Sequence, residues 1–231
     1  MSSMNPVKLC LLFDSDGTLV DSEGLCNQAL AQIFADYGVT LSVPELIRDY
    51  RGGQLSDIFD TLAKLHGVRL SHDTEPRYRA LVRQLFQAEL KAVAGINLAL
   101  QFCQQQGWPM AVVSNGPRFK VQQALELCGL AEFFNDPVSG SKVFSAYDIQ
   151  HFKPDPALYL HAAASLGATP EHCVVIEDSL PGVLAGLAAG MHTLFYNIHG
   201  ETSPSASVIE FNDMKSLPKL LSKLCFRLNP N

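Results

Sequence analysis

Short, fully apolar runs ending abruptly in polar loops, helical patterns between them, and one long strand-free interval predict the fold class. It is α/β, a Rossmann-like parallel sheet core with an inserted all-helical cap domain. A strand buried on both faces reads as continuous hydrophobe rather than as alternation. Strands alternating with helices argue for a parallel sheet covered on both sides. The first run, residues 7–13, breaks off at Asp14-Ser15-Asp16-Gly17. No strand-like run follows between residues 22 and 94. Four helical stretches fit there, over 23–37, 44–50, 55–66 and 74–93, the last keeping Tyr78, Leu81, Val82, Leu85 and Phe86 at helical spacing among Arg77, Arg79 and Arg83. Further strands are predicted at 110–114, 173–177 and 193–196, and helices at 119–128, 156–166 and 180–189. Gly129, Gly167 and Gly190 suit the ends of these helices. A Ser-rich loop over 201–207 leads to a last helix near 217–224. The predicted division is a core of residues 1–21 and 95–231, with a cap of residues 22–94.

Composition narrows the function classes. The chain has 231 residues, 47% apolar and 17% charged, enough hydrophobe for a sizeable core and too much for a disordered chain. Its net charge is 17 − 23 = −6, which argues against a nucleic-acid partner and against an anionic membrane surface. The excess acid is unevenly placed. Residues 22–94 carry 8 basic and 9 acidic side chains, and the remainder 9 and 14. The apolar run before Asp14 is far shorter than the ~20 residues of a membrane span, and no signal peptide is expected. Cys10, Cys26, Cys103, Cys128, Cys173 and Cys225 form no C-x-x-C pair and read as reduced, mostly buried thiols. A cytoplasmic protein is the expectation, a monomer or weak homodimer.

Four segments fall at the C-terminal ends of predicted strands, the edge where parallel open sheets bind ligands. They hold Asp14 and Asp16, Ser114-Asn115-Gly116, Lys153, and Glu177-Asp178. Carboxylates, a hydroxyl, loop amides and a lysine suit a hard divalent cation that holds a phosphate against a nucleophile. Asp14 and Asp16 lie two residues apart on an extended segment, on the same side. Such a pair can divide labour as nucleophile and general acid/base. Ser114 can donate to a phosphoryl oxygen, or cap the helix that follows. Lys153 can neutralise an aspartate nucleophile and the incoming phosphate, or be an ordinary solvated lysine. Glu177 and Asp178 end an apolar strand where two acids repel without a cation, unless they cap the next helix. A bare D-x-D-G is also a common loop turn.

Together these segments resemble the haloacid dehalogenase superfamily of phosphatases and phosphomutases, over nearly the whole chain. D-x-D-G-T-L-x-D stands intact from Asp14 to Asp21, and Ser114, Lys153 and Glu177-Asp178 match the later motifs in order. The helical interval is similar to the superfamily's cap. Tyr147-Asp148-Ile149-Gln150 before Lys153-Pro154-Asp155-Pro156, with Ser114-Asn115-Gly116-Pro117, is similar to members of the 6-phosphogluconate phosphatase type. The resemblance implies a small phosphorylated substrate, a sugar phosphate or sugar-acid phosphate such as 6-phosphogluconate, hydrolysed through an aspartyl-phosphate with Mg²⁺. It implies Asp14 as nucleophile, Asp16 as acid/base, and Mg²⁺ held by Asp14, the backbone carbonyl of Asp16, and Asp178. Glu177 would act through water or behind these ligands. Ser114 and Lys153 would contact the phosphate, with Asn115 and Gly116 beside it, and Asp21 would brace the first loop. In the cap, Arg51 and Gln54 are the substrate-binding candidates, beside Arg48, Gly52 and Gly53. The β-phosphoglucomutase-like relatives carry a histidine where this chain has Cys26 and an arginine where it has Leu55, so hydrolysis is favoured over a phosphomutase. A catalytically weak metabolite-binding protein on this scaffold is the second alternative.

Overall fold

The computed structural model describes residues 8–136 and 140–229, so Val7 of the first predicted run lies outside the described residues. The chain begins with β1 (Cys10–Phe13), followed by four helices: α1 (Glu23–Ala35), α2 (Val43–Tyr50), α3 (Leu55–His66) and α4 (Thr74–Glu89). It continues through α5 (Ile96–Gln105), β2 (Met110–Ser114) and α6 (Arg118–Leu127). Next come β3 (Asn135–Asp136), β4 (Gly140–Ser141), β5 (Val143–Ser145), α7 (Ala146–Ile149) and α8 (Ala157–Ser165). The last elements are β6 (Cys173–Glu177), α9 (Leu180–Ala188), β7 (His192–Tyr196), β8 (Ile209–Phe211) and α10 (Leu217–Leu228).

Six strands form one sheet in the order β5-β2-β1-β6-β7-β8, every pair parallel. β1 lies between β2 and β6, with Phe13 opposite both Val112 and Ile176. That register brings the C-terminal ends of all three strands to one edge. Alternation sorts the strand residues between two apolar layers. Leu11, Phe13, Val112, Val174 and Ile176 face α5, α6 and α10, whereas Leu12, Ala111, Val113 and Val175 face α8 and α9. The first layer runs on through Leu19 and Val20 into the helical segment, where Phe59 packs against Phe34 and Tyr78 at ring separations of 6.2 and 5.6 Å. Burial of such aromatic faces, not helix propensity, holds short helices of this kind in place.

Besides the short β3, β4 and α7, which have no counterpart in the sequence expectation, three differences concern the framework of the sheet and its crossings. The helix predicted over 74–93 stops at Glu89, because Leu90 turns extended. Residues 91–93 then run beside 19–21: Asp21 N–H donates to the Lys91 carbonyl (2.9 Å) and Val93 N–H to the Leu19 carbonyl (3.0 Å). The two chain crossings between sheet and helical segment are thereby tied together. Residues 95–109, unassigned from sequence, contain α5, entered through Gly95 at φ +91°. The edge strands β5 and β8 have three residues each, too short to register as apolar runs. Among the described residues no helix is long and apolar enough to cross a membrane.

Candidate active site

β1 delivers Asp14 into a turn whose geometry depends on Gly17. Its φ is +80°, and a Cβ there would sit 2.2 Å from Asp178 Oδ2. Only glycine permits both the turn and that approach. The packed turn places Asp14, Glu177 and Asp178 so that one carboxylate oxygen from each lies within 4.8 Å of the others, all three buried. Thr18 Oγ1 donates to Asp178 Oδ1 at 3.1 Å. Burial pushes Asp14 up to about 7, opposed by the Lys153 charge and reinforced by Glu177 and Asp16. Asp178 is raised well above the carboxylate range by burial, then by Asp14 and Glu177. Hard oxygen donors, crowded and short of positive charge, are the donor set of a divalent cation, so these residues fit one.

Lys153 is the buried cation of this cluster. Its Nζ donates to Asp14 Oδ1 (2.6 Å), Glu177 Oε1 (2.6 Å) and the Val113 carbonyl (2.7 Å), using all three protons. Burial alone would strip its charge, but Asp14 and Glu177 reverse that and raise the ammonium above its usual value. The solvated-lysine reading of Lys153 is therefore excluded. Both oxygens of Glu177 are committed. Oε1 also accepts from Tyr159 (2.9 Å), and Oε2 accepts from the Asp178 and Ser179 amides and from Ser179 Oγ. Ser179, not Glu177 or Asp178, is the N-cap of α9. Gly182 makes room for this carboxylate, since a Cβ there would lie 1.8 Å from Glu177 Oε1.

The loop after β2 forms the adjoining wall. Ser114 is buried and its Oγ accepts from the Gly116 amide (3.0 Å); Pro117, not Ser114, is the N-cap of α6. Asn115 joins three segments. Its Oδ1 accepts from the Lys153 amide (2.8 Å), and its Nδ2 donates to the carbonyls of Gly52 (3.2 Å) and Lys153 (3.3 Å). Gly116 is anchored through its carbonyl by Ser145 Oγ at 2.7 Å.

Asp16 points elsewhere. Its carboxylate lies outside the three-acid group and is gripped by Lys120 Nζ, 2.8 Å from each oxygen, and by Ser22 Oγ. Burial pushes Asp16 upward, but the charge and hydrogen bonds of Lys120 and the Ser22 hydroxyl outweigh it and hold the carboxyl below its usual value. The sequence reading did not single out Lys120. Its position near the N-terminus of α6, on the helix that starts from the Ser114 loop, was the available signal.

The helical segment closes the cavity from above. α1, α2, α4 and the turn after α2 supply Glu23, Cys26, Tyr50, Arg51, Gly52, Gly53, Tyr78, Arg79, Val82, Arg83 and Phe86, facing Asp14, Asp16, Ser114, Asn115, Lys120, Lys153 and Asp178 across about 160 Å³. Gly52 has φ +72°, and a Cβ would meet Ser179 Oγ at 2.6 Å, so the turn sits directly on the core. Arg51 is almost fully buried, ion-paired to Glu201 of the core and 3.7 Å from Glu23. Glu23 also pairs with His199 (3.1 Å). Burial raises Glu23 to about 7, eased by Arg51 and sharpened by Asp16 and Asp21. Cys26 and Leu55 line the cavity, whereas Gln54 is the N-cap of α3 and stays out of the lining. Asp21 is exposed, and its backbone amide donates to the Lys91 carbonyl. His151 is exposed and pairs with Asp155 at 2.9 Å.

Comparison with known proteins agrees with this geometry. The profile described as haloacid dehalogenase-like hydrolase matches residues 11–196. The chain is 38% identical over 213 residues to 6-phosphogluconate phosphatase of Escherichia coli (strain K12), covering 91% of this chain and 93% of that one. It is 27% identical over 217 residues to hexitol phosphatase B of the same organism, covering 93% and 95%. Among solved structures, a conserved haloacid dehalogenase-like protein of Agrobacterium tumefaciens superposes with a TM-score of 0.76 at 26% identity, over 93% of this chain and 98% of the other.

Proposed function

Since the chain belongs to the haloacid dehalogenase-like hydrolases, we propose that it is a Mg²⁺-dependent phosphatase of small sugar or sugar-acid phosphates, acting through an aspartyl-phosphate on Asp14. The observation that carries this reading is the Asp14–Lys153–Glu177–Asp178 cluster at one sheet edge, roofed by a cavity of metabolite size. Asp14 Oδ1 is fixed by Lys153, so the nucleophile is oriented before substrate enters. The Ser114 hydroxyl and the Asn115 amide line the same cavity and suit the phosphoryl oxygens, with Gly116 N–H holding the Ser114 oxygen so that its proton is free to donate and Lys153 as the offsetting charge. Mg²⁺ would be held by Asp14, Asp178 and the Asp16 carbonyl, with Glu177 behind them. When bound it supplies charge neutralisation between the carboxylates and the phosphate.

Asp16 is the proton carrier. In the resting arrangement Lys120 and Ser22 hold it as a carboxylate, the form that takes a proton from the water attacking the aspartyl-phosphate. The proton Asp16 takes from that water is the one it passes to the leaving oxygen in the first half-reaction of the next turnover, so the two half-reactions balance. The assay is hydrolysis of an aryl phosphate and of a panel of phosphorylated metabolites, with Mg²⁺ and with EDTA. Asp14→Asn is expected to keep the fold and lose turnover. Near wild-type rates in a folded Asp14→Asn protein would sink the mechanism. A hexose bisphosphate that activates strongly, with isomerisation exceeding hydrolysis, would establish the mutase instead.

A further inference from the structure

We infer that Arg83, on the cavity face of α4, is the specificity residue for a second, distal anion of the substrate, the carboxylate of a sugar acid. This rests on the phosphatase reading above and names the far end of its substrate. Arg79, Arg83 and Phe86 fall at i, i+4 and i+7 of α4 and all line the cavity, so one helical stripe crosses the roof. The stripe has a known placement at both ends. Phe86 lies under Lys120, whose Nζ is 5.6 Å from the ring centroid and which holds Asp16. Arg79 stands over the Tyr147 ring at 5.6 Å and donates to the Tyr147 hydroxyl at 3.2 Å. Arg83 sits between, about 4.5 Å along the helix axis from Phe86.

Its charge is the one left over. Five cations line the cavity: Arg51, Arg79, Arg83, Lys120 and Lys153. Lys153 is paired with Asp14 and Glu177, Lys120 with Asp16, Arg51 with Glu201, and Arg79 with Glu75. Arg83 has no carboxylate or hydrogen-bond partner among the described residues, and it is exposed at the cavity wall. A guanidinium binds a carboxylate through two parallel bonds. One unpaired cation matches one negative charge, whereas a phosphate dianion would bring two; the wall's other free donor, the buried Arg51 Nε, belongs to a guanidinium whose charge is already offset by Glu201. The cavity therefore suits a substrate with its phosphate at Asp14 and a carboxylate at α4.

The test compares kcat/KM for 6-phosphogluconate, for a neutral hexitol 6-phosphate and for a hexose bisphosphate, in the wild type and in Arg83→Ala, Arg83→Lys and Arg83→Glu. Losing a charge-assisted pair at this partly solvated wall is expected to lower the preference for the sugar acid over the hexitol about 3–10-fold, mainly through KM. Arg83→Lys recovers part of the preference, and Arg83→Glu lowers it further. An unchanged preference in Arg83→Ala, or equal losses on acid and hexitol, overturns the inference while leaving the phosphatase reading intact. A loss on the bisphosphate larger than on the sugar acid overturns the carboxylate assignment. If the wild type hydrolyses no phosphate monoester with Mg²⁺, the underlying reading fails and this inference falls with it.

Discussion

Lys153→Met tests the electrostatics of the site without any substrate. Methionine keeps much of the stem that packs near Tyr159, where Nζ lies 5.0 Å from the ring centroid, and removes only the charge and its donors. Asp14, Glu177 and Asp178 would then be buried with no cation among them. Nζ is 2% exposed at side-chain level and serves three acceptors at 2.6–2.7 Å, so water cannot replace it. Removing one partner of a buried ion pair costs about 3–5 kcal/mol. With m near ~2 kcal/mol/M, that lowers the urea midpoint by about 1.5–2.5 M. The assay is equilibrium unfolding in EDTA and again with Mg²⁺. A cation filling the cluster restores the missing positive charge, and at ~100 times its Kd adds about 2.7 kcal/mol. Mg²⁺ is therefore expected to raise the midpoint more in Lys153→Met than in the wild type. A midpoint in EDTA unchanged from wild type would refute the reasoning, because three buried carboxylates would then be stable without their cation.

Three more outcomes follow from the same geometry. In EDTA, stability should fall as pH rises from about 4 to beyond 7, because burial raises Asp14 to about 7 and Asp178 likewise upward, and the folded state then binds more protons than the unfolded one; Mg²⁺ should flatten this slope, and equal urea midpoints at pH 5 and pH 8 in EDTA would contradict it. Lys120→Met removes what holds Asp16 low, so the alkaline limb of the kcat/KM profile should move to higher pH, and an unmoved limb would show that the pair does not tune the acid. Gly52→Ala combines a left-handed backbone, costing about 1–2 kcal/mol, with a Cβ at 2.6 Å from Ser179 Oγ; it should unseat the turn from the core and lower kcat/KM more than tenfold, and wild-type kinetics would show that this contact is not needed for turnover.

The sequence by itself was sufficient for the alternation of strands and helices and for the four segments at the sheet edge. The reason is local. A strand buried on both faces must be apolar throughout, so the residue where polarity begins marks its C-terminal end. Asp14, Ser114 and Glu177 announce themselves in this way, and Gly17 marks the turn. Shorter edge strands carry too little hydrophobe to leave that signature, which is why β5 and β8 were unread. Pairing between residues 19–21 and 91–93 was invisible for the same reason, since backbone hydrogen bonds across 70 residues leave no periodicity. Only the tertiary structure decided which charges meet. Lys153 was legible as a candidate, but its three acceptors come from β1, β2 and β6, and only the parallel register converges them. Lys120 and Arg83 are ordinary helical cations in sequence. Their difference arises from packing: one helix carries its lysine onto Asp16, and another carries its arginine to a wall where the charge of every other cation is offset by a carboxylate.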